Sequence, residues 1–396
     1  MNKQTTRNTA LALVGLLALS IYILACTSFS PDDTKVLYPA FDTSSGAIGM
    51  AVYDREARRS EMLFVPLAYQ AAESNIVAAP SILRAEWLPS GREIVIAYSA
   101  PGKQNSDQDG LGVALVPWGV HKPIKIFHLS DLKEPGMLFM TPLCLAGDQI
   151  FLRASDKGVA RLDLRTGALT SHEFDDANGE VSLYPAPDGA SIFYSESGNQ
   201  PEQGTVFGRL NPNDFSRKPS MVITNEVHDQ SVVTYDKSGR ILALLSGGSE
   251  TNELLVLRDG QRIFSRSLDA HGQKRSFGNA VLAATGKALW ATFQQTKGTN
   301  EVAYGLMEIP FSDAPPRELT LINEAPAEDD AYMYYFQTAI SHDGKTAAIA
   351  STYLACAEKQ IAPADCALFL VDLSDPKWPV TKVPIPVPAK RLGFKH

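Results

Sequence analysis

The sequence predicts an all-β protein, a seven-bladed β-propeller that follows an N-terminal signal or anchor helix. Two observations support this prediction. A tight-turn motif recurs seven times with the same neighbours, and most copies lie roughly 50 residues apart, a period typical of propeller blades. That spacing accommodates four short strands with their turns, which make one blade. Six and eight blades are the nearest alternatives.

The recurring motif is a turn rich in Pro, Asp, Ser and Gly that directly precedes an apolar strand. Pro187-Asp188-Gly189 precedes the apolar run at 191–194, and His342-Asp343-Gly344 precedes the run at 346–349. Asp-Gly and Ser-Gly pairs supply the positive φ angles that tight hairpin turns require. The other copies begin at Ser30, Pro89, Ala146, Lys237 and Thr285.

The strands around each turn complete the repeat. The apolar strand after each turn is followed by a second strand with alternating apolar residues, such as 49–54 in the first repeat and 368–372 in the last. One more strand precedes every turn except the first. Because the sequence leaves no room for that strand before Ser30, we expect the tail segment 391–395 to complete the first blade. Such closure would leave no sheet edge open. The prediction is therefore one propeller domain over 26–396, closed by its C-terminal strand.

Pro-Asp-Gly before a strand, followed by a strand that ends in Asp, resembles the TolB-like and WD-repeat-like propellers of bacterial envelopes. The likeness covers nearly all of the chain after residue 26. The resemblance implies a fold but no particular activity, because one fold hosts many functions. TolB itself carries an additional N-terminal domain, whereas here the apolar N-terminal segment runs almost directly into the first turn. TolB's own partners are therefore not transferred to this chain.

Residues 1–25 are predicted to be a signal peptide or a membrane anchor. Lys3 and Arg7 precede an uncharged apolar run from Thr9 to Ala25, whose length of roughly 17 residues suits either role. Cys26 directly after Ala25 resembles the lipobox of bacterial lipoproteins, in which that cysteine carries the lipid. A lipoprotein, an uncleaved anchor and a fully cleaved protein remain alternatives. All three predict that the rest of the chain lies on the periplasmic side of the cell envelope.

The predicted export allows the cysteines to form disulfides, because disulfides persist outside the cytoplasm. Cys356 and Cys366 bracket a short polar segment between two strand-like runs, so we expect them to form a disulfide. Closing so short a loop contributes about 2–3 kcal/mol in the chain-entropy model. Cys144 stands between two leucines and is expected to be a small buried apolar residue.

The two faces of the predicted ring differ in charge. Turns between strands 1 and 2 and between strands 3 and 4 form one face, here called the hairpin face. Loops between strands 2 and 3, and from each blade to the next, form the opposite loop face. Acidic residues are concentrated on the loop face, where we expect them to attract a basic protein partner. They are Asp175, Asp176, Glu180, Glu226, Asp229, Glu324, Glu328, Asp329 and Asp330.

Basic residues are predicted on the hairpin face. The chain reaches its first turn a few residues after Cys26, so this face should lie toward the membrane, where cations meet anionic head groups. The alternative is that the loop acids only keep an exported protein soluble. The predicted membrane-facing residues are Arg55, Arg58, Arg59, Lys122, Arg217 and Lys218.

The sequence contains no recognisable reaction motif. Its net charge of −8 disfavours nucleic acid as a partner. Asn105, Asp107 and Asp109 match the start of a calcium loop, but Val116 stands where the bidentate Glu would be, so calcium is a weak alternative to no cofactor.

The sequence therefore favours a membrane-anchored, non-enzymatic protein-binding scaffold, which could be an accessory subunit of a membrane complex. A glycan- or small-ligand-binding module is one alternative. A hydrolase, lyase or lactonase that works in the central funnel is the other.

Overall fold

The structure, a computed structural model, confirms an all-β propeller with seven blades. It describes residues 27–42, 47–64, 69–70, 77–78, 82–100, 110–120, 122–128, 140–177, 179–186, 191–197, 204–223, 232–236, 238–247, 252–268, 275–297, 301–324, 334–353 and 367–383. Each blade is one sheet of four antiparallel strands that are hydrogen-bonded in chain order. The turns between strands 1 and 2 and between strands 3 and 4 therefore lie at the same end of each sheet, as predicted. The connections between strands 2 and 3 and from blade to blade lie at the opposite end.

Blade 1 contains β1 (Ser28–Phe29), β2 (Lys35–Asp42), β3 (Ala47–Asp54) and β4 (Arg59–Phe64). A separate hairpin follows, made of β5 (Tyr69–Gln70) and β6 (Val77–Ala78). Blade 2 contains β7 (Ile82–Trp87), β8 (Glu93–Ala100), β9 (Gly110–Pro117) and β10 (Lys125–His128). Blade 3 contains β11 (Met140–Ala146), β12 (Gln149–Arg153), β13 (Gly158–Asp163) and β14 (Leu169–Glu173).

Blade 4 contains β15 (Val181–Pro185), β16 (Ile192–Ser197), β17 (Thr205–Leu210) and β18 (Arg217–Ile223). Blade 5 contains β19 (Val232–Tyr235), β20 (Ile241–Gly247), β21 (Asn252–Arg258) and β22 (Gln261–Ser267). Blade 6 contains β23 (Arg275–Leu282), β24 (Ala288–Lys297), β25 (Glu301–Pro310) and β26 (Arg317–Glu324). Blade 7 contains β27 (Tyr334–Ile340), β28 (Thr346–Tyr353), β29 (Leu368–Asp372) and β30 (Val380–Val383).

The first strand of each blade lies nearest the ring axis. First strands of neighbouring blades contact one another, for example β7 with β11, β11 with β15, and β23 with β27. The outermost strands are largely exposed, as the pattern of β14 illustrates. Apolar side chains fill the space between neighbouring blades, so the core is a series of interblade clusters arranged around the ring.

The recurring motif forms the turn between strands 1 and 2. In blade 1, the Ser30 hydroxyl donates to Asp32 Oδ1 at 2.6 Å and accepts from the Lys35 N–H at 2.9 Å. Blade 7 repeats the first bond from Ser341 to Asp343 at 2.6 Å. One position of the four-residue turn has positive φ in five blades, and it is occupied by Asp33, Gly91, Gly239, Gly286 and Gly344. The turn of blade 3 is only two residues long, and Gly147 has positive φ there. The conformation required there explains why the sequence repeats.

Asp33 also joins blade 1 to blade 7, which closes the ring. Its carboxylate accepts from the backbone N–H of His342 at 2.9 Å and of Asp343 at 3.1 Å, and lies 2.7 Å from His342 Nδ1. The guanidinium of Arg55 donates to the Asp33 carbonyl at 2.6 Å and to the Thr346 hydroxyl at 3.0 Å. Directional hydrogen bonds therefore fix how these two blades meet.

Apolar packing accompanies these hydrogen bonds. Phe29 and Tyr38 of blade 1 lie in one buried cluster with Ala348, Leu368 and Val383 of blade 7. Burying apolar surface supplies most of the free energy of such a contact, because each square ångström removed from water contributes about 25 cal/mol.

The expectation that no strand precedes Ser30 was wrong. Ser28–Phe29 forms β1, in which Ser28 is opposite Leu37 and Phe29 is opposite Val36 on β2. Two residues suffice because the Phe29 side chain is buried in the cluster shared with blade 7. The tail segment 391–395 lies outside the described residues, so closure by a C-terminal strand stays a prediction.

Several predicted features lie in the part of the chain that the structure does not describe. They are Cys26, Cys356, Cys366, Asn105, Asp107 and Asp109. Within the described residues, no helix has the length and apolar character needed to cross a membrane. Cys144 is buried, as expected, and burial raises the pKa of its thiol to about 12.

Replacing Asp33 by Asn should destabilise the ring. Asn tolerates the same positive φ, so the change mainly removes a carboxylate that accepts hydrogen bonds from blade 7. Losing hydrogen bonds to a charged group should lower the free energy of unfolding by about 1–2 kcal/mol, measured as the shift in urea midpoint. Asp214→Asn is the matched control, because Asp214 bonds only within its own turn, to the Ser216 N–H at 2.9 Å. Equal shifts for the two variants would contradict the closure role.

The motif turns should make stability depend on acid pH. The hydrogen bond from Ser30 is the main cause that lowers the pKa of Asp32 from 3.8 to about 2, and the bond from Ser341 lowers the pKa of Asp343. The folded chain therefore binds fewer protons than the unfolded chain, so this stabilisation is present above the unfolded pKa and is lost as pH falls toward about 2. The urea midpoint should fall over this window, and less steeply in Asp32→Asn. A slope unchanged by that substitution would refute the assignment.

Candidate partner-binding site

Blades 3 and 4 carry a group of acidic residues on the loop face. The connection from β14 to β15 contains Asp175, Asp176 and Glu180, three of the residues predicted to bind a partner, and all three are exposed. The adjacent loop between β12 and β13 adds the exposed Asp156. The structure therefore brings four carboxylates from two loops together on one surface.

Backbone hydrogen bonds fasten these two loops to each other. The Phe174 N–H donates to the Lys157 carbonyl at 2.9 Å, and the Val181 N–H donates to the Asp156 carbonyl at 2.7 Å. The Lys157 ammonium donates to the Ala177 carbonyl at 2.6 Å. The acidic side chains thus project from a fixed backbone, which reduces the entropy lost when a partner binds.

The buried side chain of Arg153 pairs with two of the carboxylates, those of Asp156 and Glu180. Its side chain is only 8% exposed, and its Nη2 lies 2.7 Å from Asp156 Oδ1 while Nη1 pairs with Glu180. Its Nε donates to the Ser155 carbonyl at 3.1 Å. Charge-assisted bonds of this kind orient a carboxylate without covering its outer surface.

Arg217 occupies a cleft between blades 3 and 4. Its side chain is 11% exposed, and its guanidinium lies 4.6 Å from the Phe174 ring and 5.8 Å from the Tyr194 ring. Its Nη2 is 2.5 Å from Asp176 Oδ1, and Nη1 pairs with the buried carboxylate of Glu196. One arginine therefore links a buried carboxylate to an exposed one.

Gly208 leaves the space that the Tyr194 ring of this cleft occupies. On β17, a β-carbon at Gly208 would lie 2.8 Å from the Tyr194 ring and 2.4 Å from the Lys218 carbonyl. Such distances are too short for any side chain, so the Tyr194 ring can lie across β17 only where glycine leaves the space.

The cleft encloses about 510 Å³. His172 stacks on Phe215, with ring centroids 5.4 Å apart, and forms part of the lining together with Phe174 and Tyr194. Its charged groups are two carboxylates and the guanidinium of Arg217, so the lining carries an excess of negative charge. Such a cleft is suited to cations and hydrogen-bond donors. Across the described ranges, no three His, Cys, Asp or Glu side chains converge as a metal site would require.

The remaining predicted acidic residues are only partly described. Glu324 ends β26 at the loop face. The others lie outside the described residues, and they are Glu226, Asp229, Glu328, Asp329 and Asp330.

The predicted basic set divides into two groups. Arg58, Arg59, Lys122 and Lys218 are exposed near the hairpin ends of their blades. Arg217 requires a correction, because its guanidinium extends away from the hairpin face. Arg55 lies at the hairpin face, but its guanidinium is bonded to neighbouring protein groups there. Arg55 donates across the joint between blades 1 and 7, and Arg217 turns into the cleft toward Asp176 and Glu196.

Sequence reasoning missed Arg153 and Glu196, although a signal for both existed. Each is a charged residue at the end of an apolar strand, in the runs 150–153 and 192–196. Charged residues are almost never buried unless they are paired, so a charge within a buried strand indicates a partner elsewhere in the fold.

Several solved structures resemble most of this chain in fold. A structure described as the complex of KlAtg21 with the coiled-coil of AgAtg16 aligns with a TM-score of 0.53 and 12% identity, over 92% of this chain and 99% of that chain. The hydrazine synthase of Kuenenia stuttgartiensis aligns with a TM-score of 0.50 and 13% identity, over 77% and 81%. The chain has the fold of a β-propeller. TolB from Acinetobacter baumannii is a further neighbour, with a TM-score of 0.41 and 12% identity, over 75% and 64%.

These likenesses concern the propeller fold alone, because the identities are low and one fold hosts many functions. The predicted propeller fold is confirmed by the seven four-stranded sheets, and TolB is among the structural neighbours. No protein-family model matches the chain, and no curated protein matches its sequence.

Replacing Arg217 by Gln should destabilise the propeller strongly. The variant leaves the buried carboxylate of Glu196 without its guanidinium, and breaking a buried pair in this way lowers the free energy of unfolding by about 3 kcal/mol. Arg240→Gln is the matched control, because the Arg240–Asp259 pair at 2.6 Å is exposed and should matter little. Urea unfolding monitored by tryptophan fluorescence measures both variants. A midpoint for Arg217→Gln that is no lower than that of the control would contradict the role given to this arginine.

Proposed function

We propose that the chain is a non-enzymatic, envelope-anchored scaffold that binds a basic segment of a protein partner on its loop face. The observation that carries the proposal is the set of exposed carboxylates in the connection from β14 to β15, two of which pair with buried arginines. Asp176 is 83% exposed although it pairs with Arg217, so it can accept further hydrogen bonds from a partner's cation.

The local charge supports this choice of partner. Six carboxylates lie around the two fastened loops and the cleft, against three cations. The excess negative charge raises the local concentration of basic groups and speeds their association. The carboxylates are those of Asp156, Glu173, Asp175, Asp176, Glu180 and Glu196, and the cations are Arg153, Lys157 and Arg217.

The cleft beside these carboxylates supplies a place for an anchoring side chain. A basic side chain from the partner would pair with the exposed carboxylate of Asp176 at the mouth of the cleft, beside Arg217. Interfaces derive most of their affinity from a few such side chains inserted into pockets. The acidic surface would then steer the partner, and the cleft would retain it.

A small ligand such as a glycan is the second candidate, favoured by the cleft volume of about 510 Å³. That volume lies within the range of roughly 300–1,000 Å³ typical of ligand sites. The aromatic rings of Phe174, Tyr194 and Phe215 are nevertheless buried, so they offer no open face on which a sugar could stack. The exposed groups are charged, which favours the basic protein segment.

The anchoring in the envelope is proposed from the sequence. The uncharged apolar run from Thr9 to Ala25 and the following Cys26 suit either a retained helix or a lipid-modified cysteine. Both would tether the propeller to a membrane with its loop face available to a partner, as an accessory subunit of a membrane complex would require.

Neutralising the loop-face carboxylates should release the partner. The triple variant Asp175→Asn/Asp176→Asn/Glu180→Gln removes three exposed charges, which contribute roughly 0.5 kcal/mol each and so weaken binding about tenfold together. The full chain is purified in mild detergent from its native host, and the chains that copurify with it are quantified.

The control variant neutralises three acids on the hairpin face, Asp214→Asn/Asp259→Asn/Asp375→Asn. We expect a chain that copurifies with the wild type and with this control, and that is lost with the loop-face variant. Equal recovery with both variants would refute the proposed binding surface. Urea midpoints of both variants verify that each remains folded.

A further inference from the structure

Exposed apolar side chains are concentrated at one turn of blade 2. Within the described part of the chain, six large apolar side chains are exposed, and three of them fall within seven consecutive positions: Val120 at 56%, Ile124 at 54% and Ile126 at 48%. Exposed apolar residues scattered singly are normal on a protein surface, whereas a cluster indicates an interaction site. The other three, Val222, Ile263 and Val380, lie in three different blades.

These side chains are not needed for packing between blades 2 and 3. Ile124 and Ile126 lie on the same side of the strand, because side chains alternate along a strand. Lys125 and Phe127 take the other side and contact blade 3, where the Lys125 ammonium donates to the Leu164 carbonyl at 3.2 Å. The turn is therefore held by its inner residues while its apolar residues face outward.

Basic residues surround this apolar turn. Lys122 is exposed within it, and the Trp118 N–H at its start donates to the carbonyl of the exposed Arg92 at 2.8 Å. The Trp118 ring lies 5.8 Å from the Lys35 ammonium and packs against Trp87. Exposed apolar side chains with cations beside them are typical of segments that contact anionic membrane surfaces.

The turn also lies beside the point where the chain enters the ring. Lys35, which contacts Trp118, is the first residue of β2, and β2 follows the two-residue strand β1. The uncharged run from Thr9 to Ala25 ends only a few residues before β1. A membrane anchor in that run would hold a bilayer surface close to this turn.

We propose that the turn between β9 and β10 docks onto anionic lipid head groups, with Val120 and Ile124 inserted into the interface and Lys122 and Arg92 contacting phosphate. The inference rests on the proposed envelope anchoring, and it adds a second membrane contact that fixes the orientation of the ring. The hairpin face then lies on the bilayer and the acidic loop face points away from it.

Hydrogen exchange of the full chain in lipid nanodiscs tests this inference. The wild type is reconstituted into discs of phosphatidylglycerol and into discs of phosphatidylcholine, and deuterium uptake is compared at the β9–β10 turn and at the loop-face end of β18, which contains the exposed Val222. We expect exchange at the turn to be several-fold slower in the anionic discs, with no difference at the end of β18. Val120→Ser/Ile124→Ser should abolish the difference, and Val222→Ser should preserve it.

The outcomes separate the two proposals. A chain that joins the discs but exchanges equally at the turn in both lipids overturns the docking of the turn and leaves the anchoring intact. A chain that fails to co-elute with the discs refutes the anchoring, and the inference falls with it.

Discussion

The joint between blades 1 and 7 is the constraint on which the rest of the propeller depends. Every other pair of neighbouring blades is consecutive in the chain, whereas the Asp33–His342 contact links residues 309 positions apart. Closing so long a loop has an entropic penalty that grows only slowly with length, so a few well-placed contacts can offset it. Apolar packing around Phe29 provides the attraction, and the Asp33 carboxylate fixes the alignment because hydrogen bonds are directional.

The closed ring determines the geometry of the acidic site. Once the ring is complete, each blade has a fixed angle to its neighbours, and the space between blades 3 and 4 has a fixed shape. Arg217 can then link Glu196 of blade 4 to Asp176 in the connection from blade 3, 41 positions away. The buried guanidinium keeps the exposed carboxylate oriented toward solvent. A surface suited to a basic partner thus depends on charges that lie beneath it.

Much of the fold could be predicted because its repeat has a local physical cause. The turn between strands 1 and 2 needs a residue with positive φ, so glycine or aspartate recurs at that position, as at Gly91 and Asp33. Strand β1 was missed because two residues are too short to show any periodicity. The Arg55–Thr346 hydrogen bond and the Arg217–Asp176 ion pair were missed because each joins one blade to its neighbour, and the sequence of one blade does not specify how its neighbour lies. The loop-face position of Asp175, Asp176 and Glu180 followed from topology alone.

The amide protons of His342 and Asp343 test the central claim most directly, because these two backbone donors bind the Asp33 carboxylate across the joint. Residue-specific hydrogen exchange on the wild-type chain measures how often that joint opens. If the ring is closed as described, both amides exchange as slowly as those of the buried strand β2, through global unfolding. Rapid exchange at both amides while β2 stays protected would mean that blades 1 and 7 separate in the native protein, and the account of ring closure would be wrong.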